Sequence, residues 1–275
     1  MLKISDLNFG YSRRHHIIEN FSMELQRGSV CGLLGKNGAG KTTLLYLISG
    51  LLKPQSGTID MAGYTPFDRK VGFLEDVFIV PEEFSLPSVT LEEYISVNAC
   101  FYPRFNREEM EKYLSIFELN PNINLGQLSM GQKKKAFISF AMACNTSLLI
   151  LDEPTNGLDI SSKRAFRRVI AECMSDDKSI IISTHQVYDV DKILDHVIIM
   201  DRKGVKLDAT MQEISSRYKF NFTTDRERAE RALISLEVPG GFNIAEPLTN
   251  PDEETEVNLE TLFELAQGKL HNVEY

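Results

Sequence analysis

Eight residues, Gly35-Lys36-Asn37-Gly38-Ala39-Gly40-Lys41-Thr42, fit the pattern GxxxxGK[ST] and follow a short apolar run at 29–34. Their types dictate a chemistry. Glycines let the backbone curl until successive N–H groups point inward at phosphate oxygens, and the N-terminus of a following helix adds positive potential. Lys41 is then placed to reach β- and γ-phosphates, and the Thr42 hydroxyl to ligate Mg2+. A second constellation, Leu148-Leu149-Ile150-Leu151-Asp152-Glu153, sets two carboxylates at the end of an apolar strand. Ligands of parallel sheets bind beyond the carboxyl ends of strands, so Asp152 suits a Mg2+ shell and Glu153 the polarisation of an attacking water. By itself an acidic pair after a strand is commonly a helix cap or a solvated turn. Beside a phosphate loop it reads as hydrolytic.

These residues need elements to position them. FSMEL alternates, with Phe21, Met23 and Leu25 on one face, and LKISDLNF contains the pairs Leu2/Ile4 and Leu7/Phe9. The first thirty residues therefore read as strands. Near-continuous apolar runs at 29–34, 148–151, 180–183 and 197–200 read as buried strands, and segments of helical length such as 161–174 lie between them. Strand and helix in alternation imply a parallel sheet covered on both faces. Residues 90–145 differ: Met110, Tyr113, Leu114 and Phe117 recur at i, i+3, i+4 and i+7, the mark of a helical insert. Beyond residue 215, RERAERALISL reads as a helix, PGG at 239–241 as a breaker and NPDEETE as a polar loop. VNLETLFELAQG reads as a last helix with Asn258 at its N-cap, Glu260 in the first turn and Gly268 past its end. Its stripe of Leu259, Leu262, Phe263 and Ala266 must dock somewhere.

The chain has 275 residues, 43% hydrophobic and 25% charged, with 39 acidic and 30 basic side chains. The ordinary composition excludes a disordered, collagen-like or disulfide-scaffold chain. A net charge of -9 and a pI near 5.2 argue against nonspecific nucleic-acid binding. The charge is uneven, since residues 221–275 hold 12 acidic and only 4 basic side chains and the rest is nearly neutral. Cys31, Cys100, Cys144 and Cys173 lie far apart, as reduced thiols do. The start, MLKISDLNFG, lacks a basic-then-apolar signal pattern, and no apolar run approaches the ~20 residues of a membrane helix. A soluble chain is expected, so that any work at a membrane needs a second chain to span it.

Leu128-Ser129-Met130-Gly131-Gln132, ahead of Asp152, resembles the LSGGQ signature of ABC ATPases, and the order of parts is similar to that family over residues 1–210. A phosphate loop alone leaves kinases and GTPases open; the signature with DEPTNGLD and Ser183-Thr184-His185 closes that gap. The resemblance implies an α/β P-loop (RecA-like) parallel sheet core with an N-terminal antiparallel β subdomain, a helical signature subdomain and a small C-terminal appendage. It divides the chain into an ATPase domain at 1–214, its helical subdomain at about 86–145, and an acidic appendage at 215–275. It implies ATP and Mg2+ as ligands: Tyr11 stacking on adenine, residues 35–43 including Thr43 on the phosphates, and Thr42, Asp152 and Glu82 at the metal. Glu153, His185 and Glu82 take the catalytic positions. Asn156-Gly157-Leu158-Asp159 resembles the D-loop. Ser129, Gly131, Gln132 and Asp159 would meet nucleotide across a head-to-tail homodimer or heterodimer. The partner implied is a separate transmembrane permease, with the chain on the cytoplasmic face of the cell membrane. The alternative is a soluble member acting in translation, DNA repair or cluster assembly, against which stand the single phosphate loop and the missing heptad run.

Ser129 can cap a helix over about 130–144, with its free N–H groups facing an anion. Lys133, Lys134 and Lys135 crowd that first turn, where the helix dipole disfavours cations. Either they form a solvated basic face or a bound phosphate offsets them. Two departures from the family pattern stand out. Met130 replaces a glycine and tests whether the backbone there needs a positive φ. Glu82 replaces a glutamine, as in many exporter-type members, and the ending VNLETLF resembles their terminal helix, so export is the expected direction. Phe101, Tyr102 and Phe105 are either core or a docking surface for a membrane partner. His15 and His16 fall in an expected turn and carry no role. The appendage is expected to pack on the ATPase domain or its dimer partner and to take no part in the chemistry.

Overall fold

The computed structural model describes residues 1–12, 15–201, 204–250 and 255–268. Strands β1 (Leu2–Ser12) and β2 (His15–Leu25) pair antiparallel, with Ile4 opposite Met23. Next come β3 (Val30–Leu34) and helix α1 (Lys41–Ile48), after which β4 (Ser56–Met61) returns to the other edge of β1. Strict alternation cannot bury Ile4 and Leu7 together, yet Leu2, Ile4, Leu7 and Phe9 are all buried. Asp6, at φ +49, and a register shift between Ile4 and Leu7 reset the phase. His15 and His16 sit in β2 and not in a turn, His16 opposite Gly10.

The chain then runs through α2 (Val71–Leu74) and β5 (Val77–Val80) into the helical insert, α3 (Leu91–Asn98), α4 (Arg107–Ile116) and α5 (Met130–Ala143). Each insert helix opens on a side-chain cap, Thr90, Asn106 and Ser129 in turn. Met110, Tyr113, Leu114 and Phe117 are buried together, as their period requires. The core resumes with β6 (Leu148–Asp152), α6 (Ile160–Cys173), β7 (Ser179–Thr184), β8 (His196–Asp201) and β9 (Gly204–Thr210). Six strands form one sheet in the order β5-β6-β7-β3-β8-β9, parallel except for β9.

Alternation along the strands splits the core in two. Cys31, Leu33, Leu148, Ile150, Ile181 and Ile198 face α1 and the N-terminal sheet. Leu34, Leu149, Leu151, Ile180, Ile182 and Val197 face the other way, onto α5 and α6. Both faces are covered, which is why these strands read as unbroken apolar runs.

The last segment contains α7 (Met211–Arg217), β10 (Tyr218–Thr223), α8 (Arg226–Arg231), β11 (Ile234–Val238), β12 (Gly241–Pro247) and α9 (Leu259–Ala266). RERAERALISL is not one helix. Asp225 caps a six-residue helix, and Ile234–Val238 then pairs with β12 in an antiparallel sheet ordered β10-β12-β11. Pro239-Gly240 is a two-residue hairpin turn, with Gly240 at φ +91 and Val238 opposite Gly241. Part of the expected polar loop, 251–254, lies outside the described residues.

Helix α9 does form behind an Asn258 cap, with Gly268 at φ +75 after it. Its Leu259, Leu262 and Leu265, with Phe220, Ile234 and Ala245, join the same apolar cluster as α5, α6 and the central strands. The appendage is thus an extension of one core. Among the described residues no helix is long and apolar enough to cross a membrane.

Candidate functional site

The turn from β3 into α1 is built by backbone demands. A Cβ at Gly35 would lie 2.7 Å from the Met200 carbonyl oxygen, and Gly40 holds φ +96, so each position needs glycine. Gly40 also occupies the N-cap of α1 and offers no side chain to its first-turn N–H groups. The loop and Thr43 line a cleft of ≈ 320 Å³, together with Ile17, Glu82 and Glu153. This is an anion cradle by construction. Lys41 is only 7% exposed, and its Nζ donates to the Gly35 carbonyl at 2.8 Å while lying 3.6 Å from Glu153 Oε1. Lys36 is exposed at the loop tip and does not line the cleft.

Two carboxylates meet the cradle from β6. Asp152, 1% exposed, accepts a hydrogen bond from Thr42 Oγ1 at 2.7 Å and another from the Ser183 hydroxyl on β7. Burial pushes its carboxyl above the usual carboxylate range, while the two hydroxyls and their hydrogen bonds push it back. A buried carboxylate of this kind is stabilised by a cation. Mg2+ takes few protein oxygens and keeps waters and phosphate oxygens for the rest, so Thr42 and Asp152 form a fitting donor set. Glu153 follows with φ +46, an uncommon value for a residue with a side chain. Its N–H is shared between the Ser183 carbonyl, at 3.1 Å, and the Ser183 hydroxyl, at 3.2 Å. His185 Nδ1 stands 2.8 Å from Glu153 Oε1. Glu82, exposed at the mouth, accepts from Asn156 Nδ2 at 2.9 Å.

Other expected residues occupy the rim or lie apart. Tyr11 is 62% exposed, meets Phe9 edge-on at 5.2 Å and brings its hydroxyl to 3.4 Å from Thr43 Oγ1. Ser129, Gly131, Gln132 and Asp159 do not line the cleft. Ser129 and Gln132 form a reciprocal capping box at the start of α5, and Asp159 caps α6 by accepting from Ser162 N at 2.7 Å. That backbone bond, followed by the Ser161 hydroxyl, holds the Asp159 carboxyl down at about 2. Met130 is the first helical residue of α5 and has no positive φ, so its backbone accepts any side chain. Gly131 is not required within the chain either, since a Cβ there would approach the Gly157 oxygen to only 3.5 Å.

The three lysines of α5 fit neither expectation as a group. Lys134 is 6% exposed and donates to the carbonyls of Glu153, at 3.1 Å, and Asn156, at 2.9 Å. Lys135 donates to the Phe117 carbonyl at 3.2 Å, and only Lys133 remains a partly exposed surface residue without an assigned contact. Burial lowers the Lys134 pKa; the charges of Glu82, Glu153 and Asp152 oppose that shift. The aromatic cluster also splits. Tyr102 and Phe105 pack on Phe78 and Phe140, whereas Phe101 is 64% exposed. Phe101, Val71, Leu74 and Leu51 line an apolar cleft of ≈ 550 Å³ between the insert and the sheet edge.

Ser183 and Asn156 lie inside motifs that the sequence marks, and Lys134 inside a lysine run read as a basic face or a phosphate neighbour, but composition does not name the partners that each one has here. The appendage also meets the segment that follows His185: the Tyr188 hydroxyl donates to Glu260 of α9.

Residues 18–156 match the family model described as ABC transporter. The chain is 30% identical over 215 residues to the zinc uptake system ATP-binding protein ZurA of Listeria monocytogenes, covering 74% of this chain and 83% of that one. It is 34% identical over 206 residues to the SkfA peptide export ATP-binding protein SkfE of Bacillus subtilis, covering 73% and 85%. Among solved structures, CbiO1 of Clostridium perfringens, part of the ABC transporter complex CbiONQ, superposes with a TM-score of 0.65 at 29% identity over 78% of this chain and 89% of that one.

Proposed function

The chain belongs to the ABC transporter family of ATP-binding subunits, which hydrolyse ATP to power transport, and from that premise we propose the division of labour in its site and an export role. The observation that carries the proposal is the convergence of Lys41, Glu153 and His185 at one edge of the phosphate cradle, with Thr42, Asp152 and Ser183 at the other.

Lys41 donates to the Gly35 carbonyl and stands 3.6 Å from Glu153 Oε1. With Lys41 serving the γ-phosphate, the Glu153 carboxylate is placed to accept a proton from an in-line water. His185, already hydrogen-bonded to Glu153, orients that carboxylate and faces the phosphate. Thr42 and Asp152, with Glu82 nearby, would hold Mg2+, which would supply charge neutralisation to the phosphates. Tyr11 at the rim offers its ring to adenine. The signature residues Ser129, Gly131 and Gln132 lie away from their own cleft, which suits service to a second subunit. Met130 at 57% exposed and Ile160 at 83% leave apolar side chains on that surface, in keeping with head-to-tail pairing.

The permease is the partner that the apolar cleft beside Phe101 suits, from the cytoplasmic face of the membrane. Relatives include both uptake and export subunits. Export is favoured here by the Pro81-Glu82 pair and by the VNLETLF segment that opens α9.

Glu153→Gln tests the site. It should retain ATP binding, lose nearly all turnover and form an ATP-dependent dimer in light scattering; normal turnover would remove Glu153 from its role. Purification of the chain from detergent-solubilised membranes tests the partner, a permease subunit being the expected companion.

A further inference from the structure

We infer that Lys134 is a positioning residue for ATP hydrolysis, clamping the turn from Glu153 to Asn156 so that the Glu153 and Glu82 carboxylates both face the phosphate cradle. The inference rests on the reading of Glu153 as the catalytic base.

Burying a cation carries a desolvation cost. Lys134, the fifth residue of α5, is only 6% exposed, so its contacts must return something. Both contacts run to carbonyls outside α5, so they do not serve the helix itself. The return lies in the turn. Glu153 sits at φ +46, and a left-handed residue with a side chain persists only where its surroundings over-determine it. Ser183 takes the Glu153 N–H from one side. On the other side the Glu153 carbonyl accepts from Asn156 N–H at 3.2 Å and from Lys134 Nζ at 3.1 Å.

The same ammonium reaches the Asn156 carbonyl at 2.9 Å, and the Asn156 side chain in turn donates to Glu82. One lysine therefore bridges both ends of the turn that carries Glu153 and holds Glu82. It does so through carbonyl oxygens, leaving the Glu153 carboxylate oxygens to Lys41, His185 and water. Lys134 also lies on the helix that Ser129 caps, so displacement of the signature end of α5 is transmitted to the catalytic turn through a single side chain.

The test compares Lys134→Met with Lys134→Arg in the full-length chain, using MgATP as substrate. Misplacing a reacting group by about 1 Å costs about 100-fold, so Lys134→Met should lose kcat on that order. Its KM for ATP should stay near that of the parent, and Lys134→Arg, which keeps charged donors, should recover most of the loss. In a Glu153→Gln background Lys134→Met should add little, because the carboxylate it aims is already gone. Full activity in Lys134→Met, equal losses in Met and Arg, or a complete additional loss on top of Glu153→Gln would each overturn the role. Should Lys134→Met not fold, Lys134→Gln, with one neutral donor, takes its place and should fall between the parent and the expected Met level, with parental activity overturning the role. The two readings fail separately. Normal turnover in Glu153→Gln overturns the base assignment, whereas an active Lys134→Met enzyme beside an inactive Glu153→Gln overturns only the clamp.

Discussion

Ser183→Ala probes the Asp152 carboxylate without touching the phosphate loop. Ser183 is fully buried and donates to Asp152, itself 1% exposed. Alanine leaves one carboxylate oxygen without that donor, while Thr42 retains the other. A hydrogen bond to a charged group contributes about 1.5–3 kcal/mol and a neutral one about 1 kcal/mol. We therefore expect a loss of about 2 kcal/mol near pH 7.5 in the absence of nucleotide, or about 3–4 °C in Tm for a chain of this size. The Glu153 N–H adds little to this loss, since it keeps the Ser183 carbonyl.

The pH dependence follows from the direction of the Asp152 shift. Burial raises its folded pKa above the unfolded value of 3.8, so ionisation costs the folded state. That cost is fully present above the folded pKa and is relieved as pH falls toward 3.8. Removing Ser183 raises the folded value further and enlarges the cost where Asp152 is ionised. The difference between parent and variant should accordingly shrink toward the neutral-bond value, about 1 kcal/mol, as pH falls through the folded pKa toward 3.8. Thermal unfolding followed by circular dichroism across that range reads both quantities. A Tm difference that is constant with pH, or absent throughout, would refute the account of Asp152 as a buried carboxylate held by hydroxyls.

Leu262 is 1% exposed and belongs to the central cluster, so Leu262→Ala should destabilise the whole chain by about 2–5 kcal/mol, visible as a single shifted unfolding transition. A separate low-temperature transition for the appendage, with the main one unmoved, would contradict the shared core. Asp159 has its pKa lowered from 3.8 to about 2 by the Ser162 N–H, so its capping of α6 is complete above 3.8 and fades as pH falls toward 2. Asp159→Asn, which keeps the acceptor, should preserve helicity through that window; fraying equal to that of the parent would refute the charge-based account.

The strands and the chemistry were legible because each depends on local information. Buried strands at 30–34, 148–152, 179–184 and 196–201 announce themselves as apolar runs, since a sheet covered on both faces needs no polar side. The phosphate loop is legible because glycine is obligatory wherever a Cβ would strike backbone, as at Gly35 against Met200. Caps such as Ser129 and Asn258 are likewise written in the residues they serve.

Where partners come from distant segments, the sequence is silent. The phase change at Asp6 depends on pairing across β1 and β2, and the second half of RERAERALISL became a strand because β12 lay beside it. Three adjacent lysines look alike in sequence, yet one is clamped beneath Glu153, one is tied to Phe117 and one remains on the surface. The residues alone determined that this chain would bind phosphate and carry two carboxylates to it. Tertiary structure decided what holds those carboxylates in place and made the acidic appendage part of the core, because hydrogen bonds and burial depend on neighbours that only folding brings together.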